Sequence, residues 1–262
     1  EQLSLIPRIT ACTEALTLTP GNRHIQLSRA YLYMSKHDFP QALADIQAVT
    51  PNSDTHLLKG KIYRVEKKVS AALAEFSQGI ALAGPETPLP LLTELLLERA
   101  EIHKTLNNPE AHRQDLDRAI VIFTGMKSRS SRFGKALSLR VAYWKEQKNT
   151  HKALEDLSQL IQLAPRNLPF YQERIELWLK IKAFDQALKD YQELQRLDPD
   201  DPWYLMAQGE IRIYLKEYEQ AEKDYKAVLS VSPPPDYLPE VELHLAWLYA
   251  VQKDFSRVEK KL

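Results

Sequence analysis

The feature that most constrains this chain is a phrase it contains twice. Residues 168–201 read LPFYQERIELWLKIKAFDQALKDYQELQRLDPDD, and residues 202–235 read PWYLMAQGEIRIYLKEYEQAEKDYKAVLSVSPPP. They align without a gap at a period of 34, so that Ala187 meets Ala221, Tyr191 meets Tyr225 and Pro199 meets Pro233. Within the first block, apolar residues recur every three or four positions, at Ile175, Leu177, Trp178 and Ile181 and then at Ala187, Leu188, Tyr191, Leu194 and Leu197. That spacing marks two amphipathic helices per block. Small residues at positions 8 and 20 let the two axes approach, while an aromatic at 11 and a large residue at 24 fill the space beside them. Prolines punctuate the blocks: in Asp198-Pro199-Asp200-Asp201-Pro202, Asp201 is expected to cap the next helix and Pro202 to take its first turn. This accounts for sixteen prolines against only seven glycines. A helical array is expected to have little use for positive φ, hence for glycine.

The pattern of a small residue at 8, an aromatic at 11, Ala at 20, a large residue at 24 and Pro at 32 resembles the tetratricopeptide repeat family. Carried outward, the template starts repeats at Arg23, Ser53, Thr93, Gly134, Leu168, Pro202 and Pro239. His103 and Arg212 depart from the aromatic at 11, and His112 departs from the alanine at 20. The resemblance implies an all-α fold, a right-handed superhelical solenoid of antiparallel helix pairs with about seven repeats. The periods are 30, 40, 41, 34, 34 and 37 residues. The two long ones place extra residues in a proline-rich joint at 84–90 and in a basic, serine-rich loop or extended helix end at 125–132. Three segments are therefore expected: an N-terminal array over 1–124 (a partial repeat over 1–22, then repeats from 23, 53 and 93), a basic joint over 125–133, and a C-terminal array over 134–262 with repeats from 134, 168, 202 and 239, the last truncated. A kink between the halves is expected. Neither end carries a polar capping helix, which reads as a piece of a longer protein or, alternatively, as a self-association surface at Trp247, Tyr249, Val258 and Leu262.

Composition excludes several function classes. With 35 basic against 35 acidic residues, the chain lacks the excess charge of a dedicated nucleic-acid binder. Its apolar stretches, such as 89–97, are broken by Thr93 and Glu94 and fall short of the roughly 18 residues that span a bilayer, so no membrane insertion is expected. The compartment stays open between cytoplasm and periplasm. The single cysteine, Cys12, cannot form an intrachain disulfide and reads as a small core hydrophobe. The seven histidines include no His-Glu-x-x-His and no pair four residues apart, and His103 and His112 fall at core positions of the template. Gly125 and Gly134-Lys135 stand too far apart for a phosphate-cradling loop. The carboxylates are scattered at helical-surface spacing. No enzyme activity, cofactor or metal is expected.

What remains is binding of a protein or peptide. In the tetratricopeptide family the first helices line a concave groove through positions 2, 5, 9 and 12 or 13. The resemblance thus implies a partner-binding set of Tyr31, Lys61, Arg64, Glu101, Lys104, Gln172, Glu176, Lys180, Trp203, Met206, Glu210 and Tyr214. Trp144 and Trp178 fall at position 11 and read as core, whereas Trp203 and Trp247 fall at positions 2 and 9; Trp203 reads as an exposed anchor, and Trp247 as either an anchor or a cover for the truncated end. No triplet of repeats reproduces the Lys, Asn and Arg clamp with which part of the family holds chaperone tails, so that ligand is not expected. Charge segregates along the chain: residues 119–152 carry eight bases against the single acid Glu146, and residues 155–224 carry fifteen acids against nine bases. The basic joint, with Lys127, Arg129, Arg132 and Lys135, reads either as a solvated surface or as a dock for an acidic partner segment. The expected function is a protein-interaction scaffold holding an extended peptide or a partner helix, as a module of a larger protein or assembly. The alternative is the repeat arm of an export or secretion assembly, or of an enzyme whose active part lies elsewhere.

Overall fold

The computed structural model describes residues 5–230 and 237–253, and among them the chain is helical with no strand. The helices are α1 (Leu5–Leu18), α2 (Arg23–Ser35), α3 (Phe39–Gln47), α4 (Ser53–Val65), α5 (Val69–Ala81), α6 (Leu89–Thr105), α7 (Pro109–Gly125), α8 (Ser131–Glu146), α9 (Thr150–Leu163), α10 (Leu168–Lys180), α11 (Phe184–Leu197), α12 (Trp203–Tyr214), α13 (Tyr218–Ser230) and α14 (Tyr237–Val251). They form two compact units, 1–143 and 144–262, the division falling within α8. In the first unit α2 packs on α3, α4 on α5 and α6 on α7, and the first helices α2, α4 and α6 also touch one another in turn. In the second, α10 packs on α11 and α12 on α13, with α12 also meeting α14. This is an all-α solenoid of helix pairs. Val258 and Leu262 lie outside the described residues.

Helix starts follow the repeat arithmetic: α2, α4 and α10 begin at template position 1, and α12 begins one residue later. The N-cap of α12 is Pro202 rather than Asp201, which stands one residue earlier with its Oδ1 accepting from the Trp203 N–H at 2.9 Å. The long periods are absorbed largely as helix. α6 and α7 have 17 residues each and α8 has 16. In consequence α6 starts four residues ahead of Thr93, with a proline in its first turn, and α8 starts three ahead of Gly134.

Contrary to the expectation from composition, positive φ recurs throughout the array. In every repeat, template position 15 sits in the left-handed region: His37, Lys67, Asn107, Lys148, Lys182, Lys216 and Lys253, with φ between 53° and 63°. The first six each follow the first helix of a pair and close it by a Schellman pattern. In the repeat from 53, Lys67 N–H donates to Arg64 C=O at 3.1 Å and Lys68 N–H to Tyr63 C=O at 2.8 Å; in the repeat from 202, Lys216 donates to Ile213 at 3.0 Å and Glu217 to Arg212 at 2.8 Å. The array therefore does use positive φ once per pair. It fills the position with lysine, asparagine or histidine, at a cost in backbone strain that glycine would avoid.

Gly21, at φ 79°, takes a left-handed position outside this pattern, whereas two other glycines serve packing. A Cβ on Gly60 would lie 2.4 Å from the Phe76 ring, and one on Gly209 would lie 2.7 Å from the Tyr225 ring. These are positions 8 and 24 of two different repeats, so a glycine on the first helix makes room for an aromatic on the second. Where position 8 is Ala30 or Ala100, position 24 is the smaller Ile46 or Leu116, and all four are buried. In these four repeats volume is traded between the two positions, whereas the repeat from 168 carries Ile175 and Tyr191, large at both. His112 stands in for alanine at position 20: it is buried, and its Nδ1 bonds the Ala100 carbonyl at 2.8 Å. Cys12 is only half-buried, on an α1 that contributes no fully buried side chain.

A second periodic device ties the pairs. Arg29, Arg99 and Arg174, at position 7, each make a bidentate bridge to Asp45, Asp115 and Asp190 at position 23, with Nε and Nη2 distances of 2.8 and 2.6 Å in all three. The three aspartates are buried. Arg29 and Arg174 also reach back 16 residues to the second helix before them, donating at 3.0 Å to Thr13 and Ser158. One guanidinium thus holds three helices, which satisfies its donors and the buried carboxylate together. The signal was in the sequence, as Arg and Asp recurring 16 residues apart, but a template of small and aromatic residues passes over it.

Candidate functional site

In the first unit a groove of about 570 Å³ is lined by residues of α2, α4, α6 and α8 together with Pro88 at the start of α6. No second helix of a pair contributes. Its apolar lining comes from Leu27, Tyr31, Leu57, Leu58, Pro90 and Leu91, and its charges from Asp54, Lys61, Glu94 and Arg132. Tyr31 is half exposed. Lys61 pairs with Glu94, whose other oxygen takes Arg132 at 3.0 Å. Further along, Arg64 meets Glu98 at 3.0 Å and Lys135 meets Glu101 at 3.1 Å. Glutamates spaced along α6 are thus flanked by bases from α4 and α8. Lys104 is exposed near the end of α6.

This pairing changes the view of the basic joint. Arg132 and Lys135 are neutralised by α6, Arg140 by Asp117 at 2.8 Å, and Lys145 by Glu173 at 2.7 Å, while Lys152 lies 4.3 Å from the Trp144 ring centroid. Much of the positive excess counted along the sequence is met within the fold. Lys127 and Arg129 are exposed in the α7–α8 turn, Lys127 at φ 49°.

In the second unit a pocket of about 390 Å³ is walled by Phe184, Tyr191, Trp203 and Tyr214, with Leu179, Lys182, Ala207, Glu210 and Ile211 completing it. Phe184 and Tyr214 stack at 5.2 Å and 7°, and Tyr214 meets Trp247 edge-on at 6.4 Å. Trp203 is 42% exposed. Glu210 Oε1 lies 3.2 Å from His244 Nε2. Burial pushes the Glu210 carboxyl above its ordinary range, with His244 opposing and Glu240 adding to the shift. The Tyr191 phenol is raised as well, first by burial and then by Glu210 and Glu176.

Trp203, Glu210 and Tyr214 thus come together. Met206 does not join them: it is fully buried in the core with Leu205, Tyr225 and Leu245, because position 5 of this helix faces its partner. Gln172, Glu176 and Lys180 are exposed along α10 and lie outside the pocket. Phe184 and Tyr191 were missed, since both belong to a second helix and a groove template restricted to first helices passes over them. Trp144 is buried and Trp178 packs against the core around Ile175, unlike the exposed Trp203 and Trp247. Among the described residues, no group of His, Cys, Asp and Glu could hold a metal ion, and no helix is long and apolar enough to cross a membrane.

Residues 204–235, which take in all of the α12–α13 pair but Trp203, match the family model described as "Tetratricopeptide repeat". This helix pair is a tetratricopeptide repeat. Two solved structures of tetratricopeptide-repeat proteins share the fold. The C-terminal part of a TPR repeat-containing protein from Cytophaga hutchinsonii is 12% identical, with 90% of this chain and 92% of that one covered and a TM-score of 0.56. YrrB, described as a TPR protein with an unusual peptide-binding site, is 15% identical over 75% of this chain and 97% of its own, with a TM-score of 0.52. A tetratricopeptide repeat protein from Parabacteroides merdae is 18% identical over 90% of both chains, at a TM-score of 0.48. No curated protein sequence matches this chain.

Proposed function

We propose that the chain is a non-enzymatic protein-interaction scaffold that holds an extended peptide or helix of a partner along the faces of its first helices, as a module of a larger protein or assembly. One observation carries this reading: the groove of the first unit is built from first-helix residues of four successive helix pairs, mixing an exposed aromatic, an aliphatic floor and ion pairs at the edge. Such a surface suits a chain segment that alternates apolar and polar side chains. Affinity would rest on a few anchors, Tyr31 and Trp203 foremost. The shared fold of YrrB, described as having a peptide-binding site, supports the same reading.

The test is selection of peptides from a random library on the immobilised chain, followed by titration of the winners. Tyr31→Ala is expected to weaken binding of a first-unit peptide about tenfold or more, within the range of a hot-spot side chain. Substitution of Gln78, exposed on a second helix, is expected to leave it unchanged. Selected peptides that respond to Gln78 and not to Tyr31, or a library that yields no binder, would remove the groove reading.

A further inference from the structure

We infer that the aromatic pocket of the second unit seats an arginine side chain of the bound peptide, its guanidinium lying against the rings of Trp203 and Tyr191 and donating to the Glu210 carboxylate. This rests on the scaffold reading and names the residue class that the second unit takes.

The walls come first. A pocket of about 390 Å³ has the size of a small-ligand site, and four of its lining residues are aromatic. The stacked Phe184 and Tyr214 form one preassembled side, so little ordering is left for the ligand to impose. Ring faces attract weakly hydrated cations. Next is the carboxylate. Glu210 is half-buried among these rings and bonds His244 through one oxygen. Burial disfavours its charged form, and Glu240 lies close enough to add to that penalty, so a cation is the ligand that relieves it. Last is the field. The stretch 155–224 holds fifteen acids against nine bases; Asp156 and Asp190 are buried, and the acids that remain at the surface raise the local concentration of cationic segments.

Guanidinium fits these features better than ammonium. It is planar, stacks on aromatic faces and donates in a fork to a carboxylate, whereas a lysine head is a compact, strongly hydrated charge. Lys182 already lines the rim; it is exposed on the α10–α11 turn, where its ammonium stays in water. The competing occupant, a neutral aromatic or aliphatic side chain, would cover the rings but desolvate Glu210 further while adding no cation to the contact it has with His244.

N-acetyl-arginine amide and N-acetyl-citrulline amide, alike in shape and differing in charge, are titrated into the whole chain. The readout is the indole N–H resonance of Trp203, identified by its loss in Trp203→Phe. The arginine amide is expected to shift that resonance saturably with a dissociation constant of about 1 mM, the range for one side-chain fragment. Citrulline is expected to bind about tenfold more weakly, and Glu210→Gln to bring the two within about twofold. Tyr31→Ala, in the other unit, should change neither. Equal binding of citrulline, tighter binding of N-acetyl-leucine amide, or a Trp203 resonance indifferent to all three overturns the inference. Arginine binding in a chain that selects no peptide would keep the pocket and remove the scaffold; selected peptides that bind without arginine would do the reverse.

Discussion

The bridge between Arg174 and Asp190 offers the sharpest test of how this array is held together. Asp190 Oδ2 and Oδ1 accept from Arg174 Nε and Nη2 at 2.8 and 2.6 Å, and the two side chains are only 17% and 5% exposed. Replacing Asp190 by Ala strands a mostly buried guanidinium that keeps one bond, to Ser158. Breaking a buried pair in this way costs about 3–5 kcal/mol, and the lower end is expected here because Arg174 still reaches some water. Arg174→Leu strands the more deeply buried carboxylate and should cost about 4 kcal/mol. The double variant Arg174→Leu/Asp190→Leu leaves no orphan and should lose only about 1–2 kcal/mol, giving a coupling above about 2 kcal/mol. Urea unfolding followed by circular dichroism measures the cycle. Hydrogen exchange locates it, since in a repeat array the loss should concentrate in α9, α10 and α11 and spare α2 and α3. Singles costing under about 1 kcal/mol, or a cycle that closes additively, would refute the view of the arginine as a three-helix tie.

Gly60→Ala is expected to cost about 1–2 kcal/mol, an overpacking penalty against the Phe76 ring partly offset by better helix propensity, and Phe76→Leu in the same chain should recover part of it; melting temperatures of the three variants check this. Lys67→Gly, at φ 60° in the α4–α5 turn, should stabilise by about 0.5–1 kcal/mol, because relief of left-handed strain exceeds the added unfolded-state entropy; a loss of stability in urea titration would contradict it. Burial holds the His103 imidazole below its ordinary range, with Asp115 opposing and Arg99 and His112 adding. The unfolded chain then takes the proton first, so stability is full above about pH 6.5 and falls as pH drops below it. His103→Phe should flatten the urea midpoint between pH 7.5 and 5.5, and an unchanged slope would exclude His103 as its source.

Much of this architecture was legible along the chain because helix pairs leave a periodic trace. Small residues at positions 8 and 20 and prolines between blocks report contacts local in sequence, which is why helix starts at 23, 53 and 168 followed from arithmetic alone. The left-handed lysines were not legible: nothing in a lysine announces positive φ, and only closure of the helix end requires it. Met206 was misplaced because position 5 faces outward on some first helices and inward on α12, a matter of how far that helix is rotated against its neighbours.

Charge divides along the same line. The count of bases over 119–152 was read correctly, yet its meaning depended on which acids the folded helices bring alongside, and Glu94, Glu101, Asp117 and Glu173 take up four of those bases. The pocket at Trp203 shows the same limit. Its residues come from α10, α11 and α12 and the turn after α10, spread over 36 positions, and only their packing sets Phe184 and Tyr191 beside Glu210. Periodicity along the chain settles which helices pair and where they turn. Which side chains meet across pairs rests on helix rotation and volume, and these are properties of the packed array rather than of any one repeat.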